Sequence, residues 1–136
     1  MILHERPVRF EDVDAAGIVF FARFLAYCHD AMERFFDGVP GGYVDLITHR
    51  RVGFPTVHVH VDFTAPLRYG DTARIAVEVL AVGTSSTRFR HTLTRAVDDA
   101  LVARVEQVVV ATDLAALKKV PLPPDCRALL QAHLVP

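Results

Sequence analysis

The chain shows two hydrophobic periods, one typical of a helix and one typical of strands. Between Phe21 and Phe36, apolar residues recur at spacings of three and four, and charged residues take the opposite side. This pattern predicts one long amphipathic helix. The Asp37-Gly38 pair that follows is typical of a helix end, because glycine adopts the left-handed conformation that closes many helices. Residues 43–49 are predicted to form a short helical turn.

Alternation with a period of two predicts strands elsewhere. One short strand is expected before the helix and four after it, at residues 6–11, 56–64, 73–82, 87–97 and 101–112. In the strand from Thr56, one face carries Val57, Val59, Val61 and Phe63, and the other carries His58, His60 and Asp62. One helix cannot cover both faces of five strands. The sheet should therefore curl around the helix and leave the His58, His60 and Asp62 face to solvent or a partner.

Length and composition indicate one globular domain over residues 1–136, and the order of its predicted elements indicates the α+β class. The chain is 51% hydrophobic and 23% charged, so it can bury a core. A net charge of −1 does not indicate nucleic-acid binding, and no apolar run is long enough for a membrane span. The start of the chain lacks the apolar core of a secretory signal, and its two cysteines are isolated, so a cytoplasmic location is expected. Residues 114–136 are predicted to be an irregular C-terminal tail with one turn near Arg127–His133.

Candidate chemistry is concentrated in the segment FEDVDAAGIVFF, residues 10–21. Here Glu11, Asp12 and Asp14 lead directly into small residues and then into an apolar run ahead of the helix. A helix N-terminus offers unpaired N–H groups and a partial positive charge, which suit an oxyanion. A carboxylate on a loop that folds back against that end could attack a carbonyl held there. Spacing alone also fits a solvated loop acid or a helix cap.

The string DAAGIVFF followed by a long helix resembles the signature of the 4-hydroxybenzoyl-CoA thioesterase-like group of hotdog-fold acyl-CoA thioesterases. VDFTAPLRYGD and GTSSTRFRHTL extend the resemblance to roughly residues 6–113. It implies a hotdog fold, in which a five-stranded antiparallel sheet curls around one long helix. It also implies hydrolysis of an acyl-CoA thioester, with no cofactor beyond the coenzyme A of the substrate. The expected assembly is a homodimer or homotetramer with the site at a subunit interface.

The resemblance also assigns roles to individual residues. Asp14 matches the nucleophile or general base, and the Phe21 backbone N–H matches the oxyanion donor. Glu11 and Asp12 are expected to be structural or solvated. Contacts to the substrate are expected from Gly17, Phe20, His29 and Phe54. Contacts to coenzyme A are expected from Thr84, Ser85, Ser86 and Arg88.

Departures from the family pattern leave the acyl group open. His29 stands where the hydroxybenzoyl enzyme has an acid that contacts the 4-hydroxyl, and Gly83, Thr84 and Ser85 stand where basic residues hold the nucleotide. The four phenylalanines Phe20, Phe21, Phe24 and Phe54 favour an aromatic acyl group if they line the pocket, and the pattern fits core residues equally well. Alternatives are a carrier-protein or short aliphatic thioester, or a non-catalytic acyl-CoA-binding domain.

Two other features suggest chemistry but have simpler interpretations. His58, His60 and Asp62 have a spacing that suits zinc, but a third ligand from elsewhere would be required, so a polar outer face is the preferred interpretation and no metal is expected. Cys28 lies in the apolar stripe of the helix and is interpreted as a small core residue.

Overall fold

The computed structural model describes residues 1–136. Its main sheet has five antiparallel strands in the order β1-β4-β5-β6-β3. These strands are β1 (Ile2–Pro7), β3 (Thr56–Phe63), β4 (Thr72–Val82), β5 (Ser86–Arg95) and β6 (Leu101–Val110). A small second sheet joins β2 (Val52–Gly53), β7 (Thr112–Asp113) and β8 (Lys118–Lys119). The helices are α1 (Arg23–Phe36), α2 (Gly42–Thr48) and α3 (Pro124–Ala132).

The core lies between α1 and one face of the main sheet. The buried face of α1 consists of Phe24, Tyr27, Cys28, Ala31, Met32, Phe35 and Phe36. Alternate residues of β4, such as Ile75, Val77 and Val79, are fully buried on the facing side, as the pleat of a strand requires. The predicted α+β architecture, a five-stranded antiparallel sheet around one long helix, is confirmed.

Three segments differ most from the prediction. The first strand is Ile2–Pro7 rather than residues 6–11, because residues Phe10–Asp12 form a short 3-10 turn. The long helix begins at Arg23, since a turn occupies the residues before it. The prediction of an irregular tail is wrong. Its helix, α3, starts with Pro124 at the first helical position, where a proline is favoured, and buries Cys126 and Leu130.

Strand β3 lies at the edge of the sheet, and its own chain does not cover it. Val57 is 63% exposed and Phe63 is 50% exposed, so the apolar face predicted for this strand lies largely in solvent. The opposite face, with His58 and His60, is exposed as predicted. An edge strand also presents unpaired backbone groups, which natural proteins usually pair or cover.

Candidate active site

The Asp14 segment is a small hairpin that precedes α1. Val13 and Val19 form an isolated antiparallel bridge, and the Asp14 N–H donates to the Ile18 carbonyl at 3.0 Å. At the tip, the Gly17 N–H donates to the Asp14 carbonyl at 2.9 Å. Gly17 has φ +78°, a conformation that glycine adopts without a steric penalty. The hairpin therefore carries the Asp14 side chain to an exposed tip.

Asp12, which is fully buried, holds the base of this hairpin. Its Oδ2 accepts hydrogen bonds from the Arg9 N–H at 2.9 Å and from the Tyr27 hydroxyl at 2.8 Å. Its Oδ1 lies 3.7 Å from Arg6 Nη2 and 3.6 Å from Arg23 Nε. Burial and this carboxylate raise the pKa of Tyr27, so the phenol stays a donor. One of the three acids is therefore a structural anchor that joins the hairpin to α1 and β1.

A cleft of about 330 Å³ opens beside the hairpin tip. Its lining includes Asp14, Phe20, Phe21, Phe24, Phe63 and the segment 64–66. Phe24 and Phe63 meet edge to face, with ring centroids 5.2 Å apart. The Asp14 Oδ1 accepts a hydrogen bond from the Ala16 N–H at 2.9 Å, and Oδ2 makes no hydrogen bond within the chain. The cleft thus combines one carboxylate with an apolar, largely aromatic wall.

The N-terminal end of α1 borders the same cleft. The backbone N–H of Phe21 makes no hydrogen bond within the chain, whereas the Phe20 N–H donates to the Asp12 carbonyl at 3.2 Å and the Arg23 N–H donates to the Phe20 carbonyl at 3.0 Å. A free N–H two residues before a helix is suited to hold a developing oxyanion, because the positive end of the helix dipole lies next to it.

Phe54, His29 and Gly17 were also expected in the site, but they do not line this cleft. Phe54 is a core residue, stacked on Phe36 with ring centroids 4.5 Å apart, so the predicted substrate contact is corrected. His29 lies further along α1 than the cleft residue Phe24, and it lines a second cavity of about 190 Å³ with Thr56 and Gln107. Gly17 forms the hairpin turn and does not line the cleft.

The expected coenzyme A residues lie in the β4–β5 turn and at the start of β5, at the far end of these strands from Asp14. Since β4 has eleven residues, the two ends of this strand lie about 33 Å apart. The Thr84 and Ser85 carbonyls accept hydrogen bonds from the Leu122 and Ala111 N–H groups, and Arg88 pairs with Glu106 at 3.4 Å. Ser86 closes the turn by accepting from the Gly83 N–H. One chain therefore does not bring these residues to its own Asp14.

Cys28, which is buried, and the exposed His60–Asp62 pair bear on the alternatives. Burial raises the pKa of the Cys28 thiol to about 12, so it is protonated near neutral pH and behaves as the core residue that was predicted. His60 Nε2 lies 3.2 Å from Asp62 Oδ2, and no group of three or more His, Cys, Asp or Glu side chains is placed to hold a metal.

Sequence reasoning missed a series of hydrogen-bonded polar side chains beside the second cavity, which runs from the buried His91 and Gln107 to the exposed Thr56. His91 is fully buried, its Nε2 lies 2.9 Å from Gln107 Oε1, and Gln107 Nε2 donates to Thr56 Oγ1 at 2.7 Å. A signal was present, because strand alternation placed His91 on the same inner face as Phe89 and Leu93. Burial lowers the pKa of His91 to about 4.

The fold and the cleft together define a protein of the hotdog class, with a carboxylate hairpin at the N-terminus of its long helix. Comparison with known proteins supports this class. A family model described as the thioesterase-like superfamily matches residues 8–130. The chain therefore belongs to the thioesterase-like superfamily, and the predicted hotdog fold and thioester hydrolase class are confirmed at that level.

Individual relatives agree with this membership. A 1,4-dihydroxy-2-naphthoyl-CoA hydrolase of Nostoc punctiforme is 34% identical over 130 residues, which cover 96% of this chain and 86% of that protein. The crystal structure of a 1,4-dihydroxy-2-naphthoyl-CoA thioesterase from Synechocystis has a TM-score of 0.84 at 27% identity, covering 95% of this chain and 94% of that one. A Staphylococcus aureus protein solved in complex with CoA, with a TM-score of 0.85, 15% identity and coverage of 98% and 85%, shares the fold. These names do not single out the 4-hydroxybenzoyl group within the superfamily. No helix of the structure is both long and apolar enough to span a membrane.

Proposed function

We propose that this chain hydrolyses an aromatic acyl-CoA thioester to the free acid and coenzyme A, with 1,4-dihydroxy-2-naphthoyl-CoA as the favoured substrate. The observation that carries the proposal is the cleft itself, whose lining combines the exposed Asp14, Phe21 with its free backbone N–H, and an aromatic wall. The two relatives named for 1,4-dihydroxy-2-naphthoyl-CoA support the choice of acyl group.

In the proposed reaction, Asp14 acts on the thioester carbonyl. Either its oxygen adds to the carbonyl carbon and expels the coenzyme A thiolate, leaving an anhydride that water cleaves, or it takes a proton from a water that attacks instead. In both routes the carbonyl oxygen gains negative charge while it is hydrogen-bonded by the Phe21 N–H. One such donor contributes about 10²–10³ to kcat in other acyl-transfer enzymes. Coenzyme A enters as part of the substrate, and no separate cofactor is required.

The aromatic wall favours a flat acyl group. Phe20 and Phe21 are edge-on at 6.4 Å between centroids, and Phe24 and Phe63 are edge-on at 5.2 Å. Aromatic neighbours in such arrangements add about 0.5–1.5 kcal/mol beyond simple burial. We therefore expect kcat/KM for aromatic acyl-CoA thioesters to exceed that for butyryl-CoA by about tenfold.

A panel of thioesters tests this function by the release of free thiol. It contains 1,4-dihydroxy-2-naphthoyl-, benzoyl-, 4-hydroxybenzoyl- and butyryl-CoA. We expect the naphthoyl substrate to react fastest and the 4-hydroxyl to raise kcat/KM of the benzoyl substrate less than tenfold, because His29 offers an imidazole in place of a carboxylate, whose hydrogen bond to the hydroxyl would be charge-assisted. A preference for butyryl-CoA or for carrier-protein thioesters would refute the aromatic assignment. Tight binding without thiol release would indicate a binding domain.

We also propose that the site is completed by a second copy of the chain across β3. A homodimer that pairs the two β3 strands antiparallel covers both edges at once, and a dimer of such pairs gives a tetramer. If the two-fold axis passes near His60, Phe63 of one copy lies beside Val57 of the partner subunit. The Asp14 cleft of one copy would then adjoin the second cavity of the other. In the same arrangement, a neighbouring copy can supply the β4–β5 turn that contacts coenzyme A.

Val59→Glu is expected to dissociate this assembly. Val59 is on the apolar face of β3, where a carboxylate would be desolvated in the joined interface. The mass measured by light scattering should fall to that of one chain, and turnover should fall with it. His60→Gln, one residue away on the opposite face, is the control and should keep the assembly, because one exposed polar side chain replaces another there. A wild-type chain that is monomeric and fully active in dilute solution would contradict the proposal.

A further inference from the structure

Two hydrogen bonds link His91, Gln107 and Thr56, and the surrounding groups determine which atom donates in each of them. Because burial lowers the pKa of His91 to about 4, its ring is neutral near pH 7 and carries one N–H. His91 Nδ1 is buried and has no hydrogen-bond partner. A buried N–H without an acceptor is rarer and less favourable than an unpaired lone pair. The proton therefore resides on Nε2, which donates to Gln107 Oε1.

This donation sets the orientation of the Gln107 amide. With Oε1 held by His91, the amide nitrogen faces Thr56 and donates to its Oγ1 at 2.7 Å. Thr56 therefore uses its oxygen as an acceptor, and its own hydroxyl hydrogen has no acceptor within the chain. The second hydrogen of the Gln107 amide is also without a partner. The series of hydrogen bonds that begins at the buried His91 thus ends in two donors without an acceptor in the protein, the Thr56 hydroxyl and one N–H of Gln107.

These donors belong to residues that line the second cavity. Thr56 and Gln107 line it, together with His29 and the apolar side chains of Leu25, Cys28 and Val59. A volume of about 190 Å³ with this lining suits an apolar ring that carries a hydrogen-bond acceptor. A fully apolar ligand would leave the donors unsatisfied, which is unfavourable in a desolvated site.

We infer that Thr56 and Gln107 determine specificity for an oxygen substituent on the aromatic acyl ring, at a position remote from the thioester. His91 is the positioning residue that orients Gln107. This inference rests on the proposed function and on the paired assembly, in which the second cavity of one copy receives the far end of the acyl group bound at Asp14 of the other. For a naphthoyl substrate, the substituent is the 4-hydroxyl, whose oxygen accepts from Thr56.

The test compares two substrates that differ only in that group, 1,4-dihydroxy-2-naphthoyl-CoA and 1-hydroxy-2-naphthoyl-CoA. A single neutral hydrogen bond corresponds to a preference of about threefold to tenfold in kcat/KM for the 4-hydroxyl substrate. Thr56→Val removes the donor with little change of shape and should abolish the preference, because kcat/KM for the 4-hydroxyl substrate falls to the level of that for the 1-hydroxy substrate. Thr56→Ser keeps the hydroxyl and should keep the preference.

Two further variants separate the donor chain from general effects on the fold. Thr87 is a buried strand threonine whose hydroxyl has no partner and which does not line the cavity, so Thr87→Val should leave the preference unchanged. His91→Leu should lower the preference in the way that Thr56→Val does, because Gln107 is then free to turn. A loss of folding in His91→Leu would leave the Thr56 variants to decide.

The inference and the proposed function fail in different ways. If wild type hydrolyses both substrates and Thr56→Val changes them equally or not at all, the donor chain has no role in specificity and the thioesterase proposal stands. If no thioester is hydrolysed, the proposed function fails. The cavity is then tested by calorimetric titration of the free acids, in which wild type should bind 1,4-dihydroxy-2-naphthoate about threefold to tenfold more tightly than 1-hydroxy-2-naphthoate. Equal affinities would overturn the inference.

Discussion

Asp14→Asn is expected to lower kcat by at least ~10², the scale of a lost nucleophile or acid–base group. An amide neither attacks a thioester carbonyl nor takes a proton from water. The fold should be retained, because Asp14 is exposed and its one side-chain hydrogen bond comes from the Ala16 N–H, which an asparagine oxygen also accepts. Steady-state kinetics with 1,4-dihydroxy-2-naphthoyl-CoA measure the loss, and circular dichroism checks the fold.

Two neighbouring acids serve as controls for Asp14. Glu11 is exposed, and its side chain makes no hydrogen bond or ion pair, so Glu11→Gln should leave kcat within about twofold of wild type. Asp12→Asn removes a charge from the base of the hairpin and should lower kcat much less than Asp14→Asn does. Near-normal turnover by a folded Asp14→Asn variant would remove Asp14 from the reaction.

Asp12→Ala is expected to lower the free energy of unfolding by about 3–5 kcal/mol, the range for breaking a buried ion pair from one side. The change removes the acceptor of the Tyr27 hydroxyl and of the Arg9 N–H, and it leaves Arg6 and Arg23 without their shared carboxylate. Arg6 also pairs with Asp30, so part of its charge remains compensated. Most domains are stable by only about 5–15 kcal/mol, so the loss is a large fraction of the total.

Urea unfolding at one protein concentration measures this loss, since any coupling between folding and assembly depends on concentration. Glu11→Ala is the matched control and should change the free energy of unfolding by less than about 0.5 kcal/mol. Tyr27→Phe should lie between the two, at about 1 kcal/mol, because it removes one hydrogen bond and keeps the ring. A loss below about 1 kcal/mol in Asp12→Ala would show that the buried carboxylate does not anchor the hairpin.

The acidic segment shows how a pattern of like residues separates into different roles. Glu11, Asp12 and Asp14 are chemically similar and adjacent, yet one is solvated, one is fully buried and one faces a cleft. The hairpin pairing of Val13 with Val19 produces this division, because it directs Asp12 towards α1 and places Asp14 at the tip. The side chains alone do not carry that information.

The sequence by itself determined the elements that have strong local patterns. The 3.6-residue period of α1 and the alternation of β4, β5 and β6 are properties of each segment, since the face that will be buried must be apolar at the matching spacing. The order of elements then limited the topology to strands wrapped around one helix, and the DAAGIVFF string pointed to Asp14 and to Phe21.

Tertiary structure alone decided the remaining features, because they depend on residues far apart in the chain. Phe54 was expected at the substrate, but stacking on Phe36 places it in the core. The tail forms α3 because Cys126 and Leu130 find a core to pack against, and nine residues are too few to show a clear period. The exposed edge of β3 and the donor chain from His91 to Thr56 arise from strand order and register, which fix neighbours that no local pattern in the sequence can encode.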